Sequence, residues 1–375
     1  MAEAVAEESA LVAAALSGDE SAFTGLVERH RREVRVHCYR MLGSFEESED
    51  LAQETFLRAW RGRQTFQGRS SFRTWLYRIA TNACLDFLDR NPRRPRPSEA
   101  GQEQGPHPGS SPAEIRWLQP YPDRWLEPVA PEGAEPDAAV VGKETIELAF
   151  LAAIQHLPPR QRAVLIIRDV LGWSAKETAA QLDASVDSVK SALQRARSTL
   201  KTHLPERRLD WAPSTTPTAR EHALLRRFMD AHERTDAAAL AKLLSDDVRM
   251  TMPPLPYRIA GRDAVEAFAA HAFGPGSPLH RARWRSVLTR ANRQPAVAGY
   301  VRLPGDSGYR AQVLNVLEIT DGRIAEITVF EPHLLAAFGL PLVLPSDGDP
   351  FQRPHPSQRG TTATSAVDHA EERTR

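Results

Sequence analysis

From about Ser9 to Arg90 the apolar positions recur at helical spacing and proline is nearly absent, which predicts a bundle of helices. The pattern then stops. Residues 91–142 open with NPRRPRP, continue through GQEQGPHPGSSP and end in the acidic EPVAPEGAEPD. Pro, Gly and Glu at this density bury too little apolar surface for a core, so the segment reads as a flexible acidic and Pro-rich linker. Within it WLQPYPDRWLEP carries Trp117, Tyr121 and Trp125, which are expected to dock on something. Helical spacing returns over 143–204, a hinge occupies 205–218, and the last ordered zone spans 219–340. That zone begins with two helical stretches, AREHALLRRFMDAHE and AAALAKLLS. It goes on with the alternating stretches VRMTM, AVAGYVRL, AQVLNVLEIT and RIAEITVFE, with Asp321-Gly322 as a hairpin turn. Residues 341–375 read as a disordered tail. The pattern therefore predicts two all-α units followed by an α+β unit.

The second helical zone holds a more specific signal, SAKETAAQLDASVDSVKSALQRARSTLK, from Ser174 to Lys201. Ser174 followed by Glu177 is a capping box and starts one helix. The helix breaks at Asp183-Ala184, and Ser185 caps a second. Val186, Val189, Leu193, Ala196 and Leu200 form the stripe expected to be buried. Asp187, Lys190, Ser191, Gln194, Arg195 and Ser198 then face outward. Two short helices, a tight turn and an outward face of Ser, Lys, Gln and Arg describe a helix-turn-helix that enters the major groove, where Gln and Arg read base edges and Lys and Arg hold phosphates. Asp183 stands where such turns often carry Gly, and Asp tolerates the left-handed backbone better than most residues. The upstream LPPRQRAVLIIRDVLGWS supplies Val164, Ile167 and Leu171 to pack behind the reader.

Composition narrows the remaining choices. The 375 residues exceed what one core usually organises, and 41% hydrophobic with 26% charged residues is ordinary for globular protein. Lys plus Arg and Asp plus Glu are 48 each, so net charge provides no global pull toward nucleic acid and charges must be judged locally. Cys38 and Cys84 are too few for a disulfide scaffold or a zinc site and read as buried, reduced thiols. No metal site or cofactor motif stands out. No apolar run approaches a membrane span, and the acidic, Ala-rich start lacks a basic flank, so a cytoplasmic protein without membrane contact is expected.

The first zone contains MLGSFEESEDLAQETFLRAW and then FQGRSSFRTWLYRIATNACLDFLDR. These stretches resemble region 2 of the extracytoplasmic-function class of RNA polymerase sigma factors, and the helix-turn-helix resembles region 4 of the same class. The last zone is similar to SnoaL-like domains of the nuclear transport factor 2-like fold, through patches such as AVEAF and DGRIAEITVF. With WLQPYPDRWLEP the arrangement resembles the sigma-G-like group. The fold class implied is multidomain: a region 2 helical bundle over 9–90, a region 4 helix-turn-helix over 143–204 and a C-terminal α+β SnoaL-like cone over 219–340. The function implied is binding of core RNA polymerase, promoter recognition and strand opening, with the C-terminal domain regulating in cis.

The resemblance also implies site residues. Glu49, Asp50, Gln53, Glu54 and Leu57 fall on the outward face of one helix and would dock on the β′ clamp, with the β subunit as a further partner; without the resemblance this face reads as merely solvated. Arg69, Ser70, Ser71, Arg73, Arg78 and Asn82 would bind the minus-ten element as a single strand, Asn82 reading a base edge and the arginines holding phosphates. Ser188, Lys190, Ser191, Gln194, Arg195 and Arg197 would bind the minus-thirty-five duplex, with Arg197 on a phosphate. The acidic linker would occupy the basic RNA exit channel as a polyanion mimic.

Two alternatives stand beside this. One is a helix-turn-helix regulator that binds DNA by itself. The other is a DNA-binding protein fused to a small-molecule enzyme or sensor. Asp246, Asp247, His271, Glu331 and His333 are the candidate acid–base groups, none in a spacing diagnostic of catalysis, so no catalytic residue is assigned. A cone normally encloses an apolar pocket, here expected near Met250, Met252, Leu255, Tyr257, Trp284, Tyr300 and Phe330, and able to take a small ligand.

Overall fold

The computed structural model describes residues 2–93, 95, 114–126, 146–204 and 218–346, with side chains from residue 7 onward. The acidic run 127–137, most of the hinge and the tail from 347 lie outside the described residues, and so do the expectations placed on them. Helices α1 (Ala2–Leu16), α2 (Glu20–Leu42), α3 (Phe45–Arg61) and α4 (Phe72–Arg90) form the first unit. Short polar side chains start them. Asp19 accepts from the Ser21 and Ala22 amides, Ser44 from Glu47, and Ser71 from Thr74. Gly43 ends α2 in the left-handed conformation, at φ 72°, and its amide donates to Tyr39. A Cβ there would also lie 3.1 Å from the Gln155 side chain, so this turn needs glycine twice over. Leu26, Val34, Leu42, Leu76 and Ala80 are fully buried between the helices. Cys38 and Cys84 are buried free thiols in the same core, and burial pushes the Cys84 thiol up.

The second unit contains α5 (Leu148–Gln155), α6 (Pro159–Leu165, running into a π-helical turn Ile166–Val170), α7 (Ala175–Gln181) and α8 (Val186–His203). The third contains α9 (Ala219–Glu233), α10 (Ala237–Ala241), α11 (Arg262–Phe273) and seven strands: β1 (Leu244–Thr251), β2 (Arg258–Ala260), β3 (Arg283–Ala291), β4 (Gln294–Arg302), β5 (Gly308–Thr320), β6 (Arg323–Phe330) and β7 (Val343–Pro345). The sheet order is β2-β1-β6-β5-β4-β3, with β7 added to the start of β5; β1 and β6 are parallel and every other pair antiparallel. Two hairpin turns have positive φ at both central residues, Asp321-Gly322 as expected and Asn292-Arg293 in addition. Four strands are expected from the alternation and seven are present. β3 and β4 reach further than the pattern implies, and β7 carries the ordered chain beyond 340.

The sheet is apolar on both faces. Val297, Leu317, Ile324 and Ile327 pack under α9–α11. Ala296, Ala298, Tyr300, Leu314 and Val316 turn the other way, into one continuous core that also holds Tyr39, Tyr121, Ile146 and Leu151. A sheet normally buries both faces only when another layer covers each. Here the second layer is the two helical units themselves. Residues 114–126 fill the seam. Ile115, Leu118 and Tyr121 are at most 2% exposed, which corrects the expectation of a flexible linker at this point. Burying Ile115 and Leu118 stabilises the seam by roughly 1.5–3 kcal/mol each. Trp117 donates to Gln155, and Trp125 sits over the Arg35 guanidinium, so the aromatics of this segment do dock.

Candidate functional site

On α3 the five expected docking residues share one side of the helix. Asp50, Gln53 and Leu57 are exposed, with Leu57 at 48%. Glu49, Gln53 and Leu57 border a groove of about 470 Å³ floored by Phe23, Phe56 and Trp60. Glu49 is ion-paired to Arg35, and Glu54 holds Arg58 at 2.8 Å, which in turn reaches Asp86 at 3.0 Å. An exposed Leu ringed by carboxylates and amides suits a basic, partly apolar partner.

The minus-ten candidates divide. Arg69, Ser70 and Ser71 lie on the exposed loop before α4, above the tilted rings of Phe66, Phe72 and Trp75. Arg78 and Asn82 are exposed one turn apart on α4. Arg73 departs from the expectation. Its guanidinium is 2.6 Å from Glu33 and lies over the Tyr77 ring, so it braces α2 against α4. Burial works against the Glu33 charge, but His30 and Arg73 outweigh it and hold that carboxyl below its usual range.

The helix-turn-helix forms as its caps predict. Ser174 and Glu177 make the reciprocal capping box, Ser185 accepts from Ser188, and Asp183 takes φ 48° in the turn. Val189, Leu193 and Ala196 are buried, and Ser188, Lys190, Ser191, Gln194 and Arg195 are exposed. Two residues depart from the expectation. Val186 is 36% exposed because it is the first residue of α8, ahead of the helices it would pack on. Arg197 points away from the reading face and grips Asp169 through two bonds of 2.7 and 2.9 Å, so it is not a free phosphate ligand.

The candidate acid–base groups of the third unit do not converge. Asp246 is exposed beside Arg262, His271 is exposed, and His333 lies 3.8 Å from both Glu46 and Glu331. Met250, Met252, Leu255, Trp284 and Phe330 do line one cavity. Tyr300 lies on the opposite face, donating to Pro341, and Tyr257 is 55% exposed.

A cluster that sequence patterns did not single out lies where the units meet. The Asn292 carboxamide donates to Tyr39 Oη at 2.9 Å and to the Ile146 carbonyl at 2.6 Å, and accepts from the Tyr121 amide at 2.7 Å. One buried side chain thus ties α2, residues 114–126, the start of the second helical unit and the β3–β4 turn. Beside it Asp123 accepts from Arg290 at 3.1 Å and from the Arg293 amide at 2.8 Å. Gln119 bonds Ser44 and the Glu46 amide. Arg162, fully buried, donates to the carbonyls of Met41, Ile154, Gln155 and Leu157. It has no carboxylate among these partners, and burial lowers its pKa to about 9. The α2 carbonyl end, with its partial negative charge, supplies part of the compensation. The only sequence signal for this cluster is the aromatic segment WLQPYPDRWLEP.

The two DNA-facing surfaces also touch. Arg78 of α4 is 3.3 Å from Asp183 of the helix-turn-helix turn, Gln181 donates to the Thr74 carbonyl, and Tyr77 meets Trp173 edge to face.

Three known families match this architecture in order. Sigma-70 region 2 matches residues 26–94, Sigma-70 region 4 matches 147–200, and a SnoaL-like domain matches 225–327. The chain is 40% identical over 330 residues to the ECF RNA polymerase sigma factor SigG of Mycobacterium tuberculosis, covering 86% of this chain and 84% of that protein. This chain belongs to the ECF RNA polymerase sigma factors. SigW of Bacillus subtilis, another ECF sigma factor, is 31% identical over 187 residues, half of this chain and 91% of SigW. The match to SigW thus leaves about half of this sigma factor outside it. The crystal structure of the Mycobacterium tuberculosis ECF sigma factor SigJ has the same fold, at TM-score 0.52 and 22% identity, over 85% of this chain and 99% of SigJ. Among the described residues no helix of this sigma factor is long and apolar enough to cross a membrane.

Two buried histidines make its stability depend on pH. Burial lowers His37 to about 3 and His232 to about 4, so both are neutral in the fold. Unfolded histidine titrates near pH 6.5, so between those values the unfolded state binds more protons. Stability is then full above about pH 6.5 and falls as pH drops, by up to about 1.4 kcal/mol per pH unit for each group. Urea unfolding at pH 7 and pH 5 should show this loss, and His232→Phe should reduce it. An unchanged difference in His232→Phe would contradict a buried neutral imidazole.

Proposed function

We propose that this sigma factor directs core RNA polymerase to promoters through three surfaces, and that its C-terminal domain holds them in a closed form. The α3 face around Leu57 docks on the polymerase clamp. The loop 66–71 with Arg78 and Asn82 takes the opened minus-ten strand, and the α8 face with Gln194 and Arg195 reads the minus-thirty-five duplex. Its work is binding and strand opening, on chromosomal DNA in the cytoplasm, with no bond chemistry of its own.

The observation that carries the closed form is the contact between α4 and the helix-turn-helix. By their names the two promoter elements lie some 25 base pairs apart, roughly 80 Å along B-form DNA. Helices α4 and α8 are each under about 30 Å long. With Arg78 against Asp183 their faces cannot span that distance, so promoter binding requires the units to separate. The sheet and residues 114–126 oppose separation by sharing one core with both.

Docking is tested with the full chain. Asp50→Lys combined with Gln53→Ala should lower capture of core polymerase about tenfold or more, because two outward groups facing a basic surface are lost or reversed. Circular dichroism should stay as in the parent. Undiminished capture would remove this face from the docking surface, and absent capture of polymerase by the parent would favour a regulator acting alone.

A further inference from the structure

The cavity of the C-terminal domain measures about 370 Å³, within the roughly 300–1,000 Å³ usual for small-molecule sites. Its walls come from α9, α10, α11, β1, β5, β6 and the Met252–Leu255 segment. Met250, Met252, Val313, Val329, Phe268 and Phe273 line it yet are only partly buried, because they face this space rather than one another. Apolar side chains turned onto a concave surface gain from an apolar occupant.

Three buried polar side chains interrupt the apolar wall. Asn315 is 5% exposed, and among the described residues its carboxamide has no hydrogen-bond partner. His232 Nδ1 and Trp284 Nε1 are buried without partners, with their rings edge to face at 4.6 Å. A polar group left unmatched in an apolar setting is costly, and here three are gathered at one cavity. The strand itself is bent toward the cavity. Gly299 pairs with Val313 and Tyr300 with Ala311, so Gln312 is an extra residue in β5, and both Gln312 and Val313 border the space. No Lys or Arg lines it, and its two carboxylates, Glu266 and Glu331, disfavour an anion. The imidazole is neutral because it is buried, and the indole offers only a donor.

We propose that this cavity is a binding site for an uncharged, ring-shaped apolar molecule bearing one hydroxyl or carbonyl oxygen, held by Asn315, His232 and Trp284. Binding is claimed here whether or not the domain regulates transcription, so the two ideas can fail separately.

Naphthol, naphthalene, naphthalene sulfonate and naphthylmethylamine serve as probes, titrated into the full chain by calorimetry. Naphthol should bind one to one with a dissociation constant below about 100 µM. The two charged probes should bind at least about tenfold more weakly, since no buried charge meets them. Ala269→Phe should fill the space and reduce naphthol binding at least about tenfold. Asn315→Leu, which keeps the side-chain volume, should cut the preference for naphthol over naphthalene by about fivefold or more. Circular dichroism establishes that each variant is folded. If Ala269→Phe misfolds, Asn315→Leu decides. The proposal is overturned by no saturable naphthol binding to the parent, by charged probes binding as tightly, or by folded variants that bind naphthol like the parent.

Discussion

Asn292→Gly should open the closed form of this sigma factor. Gly keeps the positive φ that the β3–β4 turn demands at this position, where φ is 55°, so the substitution removes the side chain without straining the hairpin. What is lost is the junction. The Tyr121 amide and the Ile146 carbonyl lose their carboxamide partner in a buried seam, whereas Tyr39 Oη still donates to Gln119 at 2.7 Å. Two unmatched buried groups cost about 1–3 kcal/mol each. In the open form both meet water, so the penalty falls on the closed form alone. A shift of about 2 kcal/mol changes the closed-to-open ratio roughly thirtyfold. Small-angle scattering should report a larger radius of gyration. Transcription from a cognate promoter with core polymerase should rise several-fold at equal protein concentration. A variant with the parent's dimensions and the parent's transcription would refute Asn292 as the tie between the units, and greater dimensions with no gain in transcription would refute closure as a restraint.

Replacing both Gln194 and Arg195 with Ala should abolish recognition of the minus-thirty-five element. Both side chains are exposed on α8, opposite the stripe of Val189, Leu193 and Ala196 that fixes the helix in place. A bidentate base contact is worth about 1–3 kcal/mol, so one substitution should cost roughly tenfold in affinity and the pair about a hundredfold. The loss should be specific, with binding to unrelated duplex falling far less. Arg197→Ala is the contrast. Its guanidinium is engaged with Asp169, so its removal should cost at most about 1 kcal/mol of local stability and leave the salt dependence of binding as in the parent. If Arg197→Ala instead flattened the salt dependence while the double variant bound its promoter normally, the reading face would have been assigned to the wrong side of α8.

Local rules made much of this protein legible. Capping by Ser174, Glu177 and Ser185, the tolerance of Asp183 for a left-handed turn, and the Asp321-Gly322 hairpin act within a few residues, so the amino-acid order alone specifies them. The exposed faces of α3 and α8 follow from helical periodicity in the same way, because the buried stripe determines which side is left for partners. Tertiary structure decided which of the exposed-looking charges are free. Arg73 and Arg197 sit 40 and 28 positions from Glu33 and Asp169, and no periodicity reports a partner at such separations. Residues 114–126 have the composition of a linker, yet Ile115, Leu118 and Tyr121 are buried because two helical units and a sheet close around them. Asn292 is the extreme case, an ordinary turn residue by sequence that bonds Tyr39 across 253 positions. Its role exists only when the chain has already folded. The entropy of bringing such distant groups together is met by the whole seam of apolar contacts, and no single motif carries it.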